Sequence, residues 1–132
     1  MPFPVSFRYY SADGRRGCIR TTHDSGSPKL QAQFRLKLKM LAQLDFAEWR
    51  EPLCKSLNGE GDGLIEIRFK VDGVQQRPLG FRSGLHEFTL LFWAIERGDK
   101  FVPKSTCATA QLWKQAVVSD RSLTDALWLA LE

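Results

Sequence analysis

Residues 63–81, GLIEIRFKVDGVQQRPLGF, decide how the chain is read. Asp72-Gly73 is a dipeptide suited to the two-residue type I′ turn of a β-hairpin. Ahead of it, Ile65, Ile67, Phe69 and Val71 alternate with Glu66, Arg68 and Lys70. That period of two marks a half-buried antiparallel strand. A turn at Asp72-Gly73 sets Val71 opposite Val74, Lys70 opposite Gln75, Phe69 opposite Gln76 and Arg68 opposite Arg77. Directly opposed residues share a face of the sheet, and like charges there are destabilising. Two facing arginines, with Lys70 beside them, therefore point to an anion between them. Pro78 cannot donate to a ladder, so the return strand needs a bulge or an unpaired edge there. A bulge would carry Arg77 away from Arg68.

Outward from the hairpin, Val5–Tyr10 alternates as an opening strand. Residues 11–27 are polar and read as a long loop. Its Arg15, Arg16 and Arg20 are either solvated or form an arm that touches phosphates. Ser27-Pro28 starts a helix, with Ser as N-cap and Pro in the first turn. Leu30, Phe34, Leu38, Leu41 and Leu44 give that helix an apolar stripe. Asp45 opens a second helical piece through Phe46 and Trp49, with a further turn from Pro52 towards Leu57, making a helical hairpin. The glycine-rich residues 58–63 lack the Lys-Ser/Thr of a phosphate loop and lead into a strand, so they read as a turn. His86 to Ile95 is a mostly apolar, central strand. Residues 96–100 are a tight polar loop, and a helix follows from about Lys104 to Val118. Ser122–Asp125 resembles a capping box for a final helix carrying Leu123, Ala126, Leu127, Trp128, Leu129, Ala130 and Leu131. Such an apolar terminal helix would bury or dock on a partner. Strands and helices segregate, so the expected class is α+β: a small antiparallel sheet, made of the N-terminal strand and a three-stranded meander, with an N-terminal helical hairpin and C-terminal helices.

The 132 residues, 43% of them hydrophobic, are one domain's worth of chain with one core. A net charge of +4 suits nucleic acid or an acidic protein. Cys18, Cys54 and Cys107 are scattered, with no CxxC or Cys/His cluster, so a metal site is not expected; no cofactor is expected either. They suit reduced thiols in a cytosol. No apolar run approaches a membrane span, and residues 1–4 carry no signal-peptide pattern. The expectation is a cytoplasmic protein with no membrane role. His23 and His86 are far apart in sequence and do not suggest a catalytic pair.

Residues 57–68 (LNGEGDGLIEIR), 77–81 (RPLGF), 88–92 (FTLLF) and 94–104 (AIERGDKFVPK), in that order, resemble the phage-derived branch of the RelE/HigB toxin superfamily. The resemblance covers roughly residues 1–120. It implies the toxin of a type II toxin–antitoxin system, a metal-independent endoribonuclease that cleaves mRNA, commonly on the ribosome, and is held inactive by a cognate antitoxin. It implies that Arg68 and Arg77 clamp the scissile phosphate, that Arg97 assists, and that Lys70, Lys100 and Lys104 support RNA binding. Glu66 would orient an arginine or act as base. Fixed guanidinium groups would stabilise the charge that builds on the phosphorane-like state. The chain departs from the pattern in having no Tyr or His after His86, and in a 111–115 segment, QLWKQ, with a single cation. The toxin domain would span residues 1–121, leaving 122–132 as an apolar helix for docking. The alternative is a non-enzymatic phage- or prophage-derived binding module of the same fold that engages a host protein through that helix.

Overall fold

The Asp72-Gly73 turn forms as expected in the computed structural model, which describes residues 3–12 and 17–132. Both turn residues have positive φ, 49° and 80°, as a type I′ turn requires. The strand ahead of it is split into β3 (Ile65–Ile67) and β4 (Phe69–Val71), numbered along the chain after β1 (Ser6–Tyr10) and β2 (Cys54–Ser56). Both pieces pair with β5 (Val74–Gly84), with Glu66 opposite Leu79 and Phe69 opposite Gln76. These pairs lie in one register, so Pro78 interrupts the ladder without shifting it. The Arg68 N–H turns the other way and donates to the Leu53 carbonyl at 2.9 Å.

The register of β5 shifts further along, on its other neighbour β6 (Glu87–Arg97), first between Leu79 and Gly80 and again between Arg82 and Gly84. At the first, Leu79 faces Phe92 and Gly80 faces Leu90, leaving Leu91 as the extra residue. The bulge brings Gly80 hard against β6. A Cβ at Gly80 would lie 2.3 Å from the Thr89 carbonyl and 2.5 Å from the Phe88 ring. Gly80→Ala should therefore cost about 2 kcal/mol through overpacking, read as a lowered midpoint in chemical denaturation. An unchanged midpoint would mean that the strands separate there freely.

The sheet has eight strands in the order β2-β3-β5-β6-β1-β8, with β4 on β5 and β7 (Lys100–Val102) on β6. β1 runs parallel to β6, and β8 (Thr124–Ala126) runs antiparallel to β1. The sheet is thus larger than the small antiparallel one expected, and partly parallel. β2, β7 and β8 are three residues each, too short to show alternation in the sequence. The class is α+β.

Helices cover both faces. On one, α1 (Gly17–Ser25) and α2 (Pro28–Ala42) form the N-terminal helical hairpin. The α2 start is as expected: the Ser27 side chain accepts from the Leu30 N–H at 3.1 Å. The partner helix, however, is α1, in a stretch expected to be loop. Gly, Thr, Asp and Ser in GCIRTTHDS are weak helix formers; burial of Ile19 and His23 outweighs that preference. The expected second piece shrinks to a single 3₁₀ turn at Phe46–Glu48, and β2 replaces the turn towards Leu57. Phe34, Leu38 and Leu41 pack there with Phe69, Phe88, Leu90 and Trp93. On the other face, α3 (Thr106–Ser119) sets Ala110 and Val117 against Leu64, Leu79, Phe81, Leu91 and Ala94.

The C-terminal helix expected over residues 122–132 does not form. A turn at Arg121–Leu123 leads into β8, and the rest runs on without regular structure. The tail is fastened to the body. Leu127 N–H donates to the Phe7 carbonyl at 3.1 Å, Arg35 donates to the Ala130 carbonyl, and the Trp128 ring meets Tyr9 edge-on at 4.9 Å. An apolar run of this length fits a buried extended segment as well as a helix, and an open strand edge on β1 decides between them. The tail closes the body's own core, so it offers no separate docking helix. No helix among the described residues is long and apolar enough to cross a membrane.

Candidate functional site

The hairpin's charged face is where the two-residue period collects chemistry. Glu66, Arg68 and Lys70 on β3–β4, Gln75 and Arg77 on β5, and Glu96 on β6 alternate onto it. Two hollows open there. One, of about 310 Å³, is lined by Glu51, Pro52, Arg68, Phe69, Lys70, Gln75 and Arg77. The other, of about 360 Å³, is lined by Lys55, Leu57, Glu66, Arg68, Glu96, Asp99 and Phe101. Arg68 is the wall common to both.

Arg77 is not the exposed half of a clamp. Its side chain is 2% exposed. Nε donates to Glu96 Oε1 at 2.9 Å, Nη1 donates to the Gln76 carbonyl at 2.9 Å, and Nη2 donates to Gln75 Oε1. Glu66 Oε2 lies 3.6 Å from Nε as an ion pair. The anion that the facing arginines called for is therefore supplied by the protein, as carboxylates from the strands on either side. A guanidinium held by the protein on all three nitrogens is a structural ion-pair partner, and the expected clamp of Arg68 with Arg77 loses its second member.

Arg68 is the half that remains open, with its side chain 28% exposed. Nη1 donates to Glu51 Oε1 at 3.3 Å, and Nε stands 3.9 Å from Glu66 Oε1. Both contacts are long, so an incoming anion could compete for this guanidinium. Lys70 is exposed on the rim of the first hollow. Arg97, Lys100 and Lys104 are exposed but line neither hollow. Arg97 faces Lys100 across the type I′ turn of Gly98 and Asp99, one residue past Glu96 and hence turned to the opposite face. The structure thus brings together Glu66, Arg68, Lys70 and Arg77, and leaves Arg97, Lys100 and Lys104 outside. Arg20 lies on α1, beside Asp24 and over the Trp128 ring. Arg15 and Arg16, the rest of the possible phosphate-touching arm, fall outside the described residues.

Glu66 is the unusual group. It is 4% exposed, and its Oε2 has no hydrogen-bond partner among the described residues. Burial raises its pKa; the Arg77 and Arg68 charges pull it down, Glu96 pushes it up, and the net direction is upward. Desolvation prevails because both arginines are at ion-pair distance without a hydrogen bond to this carboxylate. A buried carboxylate of raised pKa, at the wall of a hollow and beside a partly open guanidinium, is the arrangement of an acid–base centre with an anion contact.

Comparison with protein-family models, with curated proteins and with solved structures finds no match.

Lys55 and Glu96 complete the site and were not singled out by sequence reasoning. Lys55 faces Glu66 directly across the β2–β3 ladder. Glu96 is the acceptor for Arg77. Neither residue carried a local signal, since each joins the site through a strand pairing distant in sequence. All three thiols are free, and burial pushes Cys54 up to about 11, leaving it a protonated, inert side chain at neutral pH. Among the described residues no group of three or more His, Cys, Asp or Glu is placed to hold a metal ion.

Proposed function

We propose that the chain is a toxin-type endoribonuclease that acts on mRNA in the cytoplasm, on the ribosome, and is neutralised by a cognate antitoxin, with its centre at Glu66 and Arg68. The observation that carries this reading is the buried Glu66 carboxylate, whose Oε2 accepts no hydrogen bond, beside a half-open arginine. Glu66 takes the proton of an RNA 2′-OH, and the 2′ oxygen attacks the adjacent phosphorus. Arg68 holds the non-bridging oxygens as negative charge grows on them. The bond from phosphorus to the 5′ oxygen breaks, and Lys55, across the ladder from Glu66, gives that oxygen its proton; Glu66 then loses its proton to water and Lys55 regains one from water. The products are a 2′,3′-cyclic phosphate and a 5′-hydroxyl. A side chain of Glu66's kind suits the role that a late His or Tyr would otherwise fill, because its raised pKa makes it a stronger base at neutral pH.

Induced expression of the intact chain in a bacterium should arrest growth and cut messenger RNA. Glu66→Gln should slow cleavage by about 10²–10⁴-fold, and Arg68→Ala by about 10²-fold, with both proteins folded by thermal denaturation. The rate should fall on the acid side with a midpoint above the ordinary carboxylate range. A group whose pKa is raised becomes protonated, and useless as a base, at higher pH than a free glutamate. Glu66→Gln should lack that acid limb. Harmless expression with intact messages rules the reading out.

One observation favours the binding-module reading. The carboxylates of Glu51, Glu66, Glu96 and Asp99 match the cations Lys55, Arg68, Lys70 and Arg77 around the hollows, which suits a self-contained polar surface. On that reading Glu66→Gln and Arg68→Ala change neither growth nor messages.

A further inference from the structure

We propose that the hollow between Leu57 and Phe101 is a nucleobase pocket whose rim selects a base with a hydrogen-bond donor edge, guanine foremost. This inference rests on the RNA reading above and names its base preference. Phe101 sits on β7 opposite Glu96 and with Leu57 supplies apolar, partly buried wall to a space of about 360 Å³. A flat base can lie against such a ring, and stacking on an aromatic side chain is the common way of holding an unpaired base.

The polar rim divides by function. Lys55 on β2 faces Glu66 on β3, with Arg68 next along the chain after β3, while Glu96 and Asp99 come from β6 and its turn into β7. Glu96 gives Oε1 to Arg77, and its side chain is partly exposed at the hollow. Asp99 is exposed in the Gly98-Asp99 turn. Ionised carboxylates only accept hydrogen bonds. The base that answers them best is guanine, whose N1–H and N2–H₂ donors are adjacent and can pair with one carboxylate. Adenine and cytosine offer one amino group each, and Glu or Asp accepts readily from cytosine N4. Uracil offers a single N–H flanked by two carbonyl oxygens, which a carboxylate repels. A simple organic cation would satisfy Glu96 and Asp99 but would meet Lys55 and Arg68. A nucleotide answers both halves, with its base donors on the carboxylates and its phosphate on the cations.

The test is the affinity of the intact chain for 3′-GMP, 3′-AMP, 3′-CMP and 3′-UMP by calorimetry. The expected result is 3′-GMP tightest, by about tenfold over 3′-UMP, the discrimination of one bidentate pair. Asp99→Asn should narrow that gap; Asn tolerates positive φ, so the turn is kept. Phe101→Ala should weaken every nucleotide by about tenfold, as loss of one stacking partner does. Glu96 is left intact because it holds Arg77. Equal affinity for all four nucleotides, or a guanine preference that survives both variants, overturns the pocket. So does RNA cleavage without measurable nucleotide binding, and in that case the endoribonuclease reading stands. Guanine-selective binding by a chain that never cleaves RNA supports the pocket and removes the endoribonuclease.

Discussion

Arg77→Ala should destabilise the fold by about 3–5 kcal/mol, the usual cost of removing one partner from a buried ion pair. Arg77 is 2% exposed and lies between Glu66 and Glu96. Without it, the buried Glu66 and the half-buried Glu96 carboxylates are left with no cation between them, and the Gln75 side chain and Gln76 carbonyl lose their donor. Whole-domain stabilities are about 5–15 kcal/mol, so the variant should lose a large part of its stability in chemical denaturation. Adding Glu66→Gln to Arg77→Ala should recover part of the loss, because it neutralises the carboxylate that burial already penalises. The same cycle separates a structural from a catalytic Arg77. A phosphate clamp would give an inactive Arg77→Ala protein with unchanged stability, and no recovery from Glu66→Gln. That result would restore the facing-arginine clamp.

The contrast between Arg77 and Arg68 shows how far sequence reaches into this site. The Asp72-Gly73 turn, the alternation from Ile65 to Val71 and the register of Phe69, Lys70 and Val71 with Gln76, Gln75 and Val74 were all legible, because they depend on neighbours in sequence. The same register correctly put Arg68 and Arg77 on one face. What it could not supply was the strand on the far side of β5. Glu96 reaches Arg77 only because β6 pairs with β5 with Gln75 opposite Glu96 and Arg77 opposite Ala94. Without that ladder, facing arginines imply an outside anion; with it, the anion is internal. Pro78 posed a related question. The ladder of β3 and β4 with β5 is interrupted beside it but keeps its register, and a bulge appears at Gly80, where the lack of a Cβ allows β6 to approach.

Elements missed by the sequence share a cause. β2, β7 and β8 are short edge or cap pieces whose strand character comes from the partner. α1 forms against local propensity because Ile19 and His23 find a core. The two-faced burial of the sheet, by α1–α2 on one side and α3 on the other, follows from the apolar positions of Phe34, Leu38 and Leu41 and of Ala110 and Val117. Phe34, Leu38 and Leu41 were visible as a helical stripe and the second helix as a range from about Lys104 to Val118, but the number of strands between them was not.

Deleting residues 124–132 should leave a chain that does not fold stably. β8 covers the outer edge of β1, placing Thr124, Asp125 and Ala126 opposite Tyr10, Tyr9 and Arg8. Arg8 donates to Thr124 Oγ1 at 2.8 Å and to the Thr124 carbonyl at 3.0 Å. Beyond the strand, Leu127, Trp128, Leu129 and Leu131 pack on the core formed by Val5, Phe7, Tyr9 and Phe34. At about 1 kcal/mol or more for each half-buried apolar side chain, the packing together with the strand hydrogen bonds amounts to a large share of a domain's stability. Trp128→Ala alone should cost about 2–3 kcal/mol, below the full range for a buried Trp because this ring is only partly covered. Its readouts are a lowered denaturation midpoint and loss of the ring-current shifts that Trp128 imposes on Tyr9 and His23, its edge-on neighbours. A truncated chain with the midpoint of the intact one would show the opposite: a tail that rests on the body without holding it, free to leave β1 and expose that edge to a partner strand. The Arg35 contact to the Ala130 carbonyl and the Phe7–Leu127 hydrogen bond argue against release, because they fasten the tail at points on either side of Trp128.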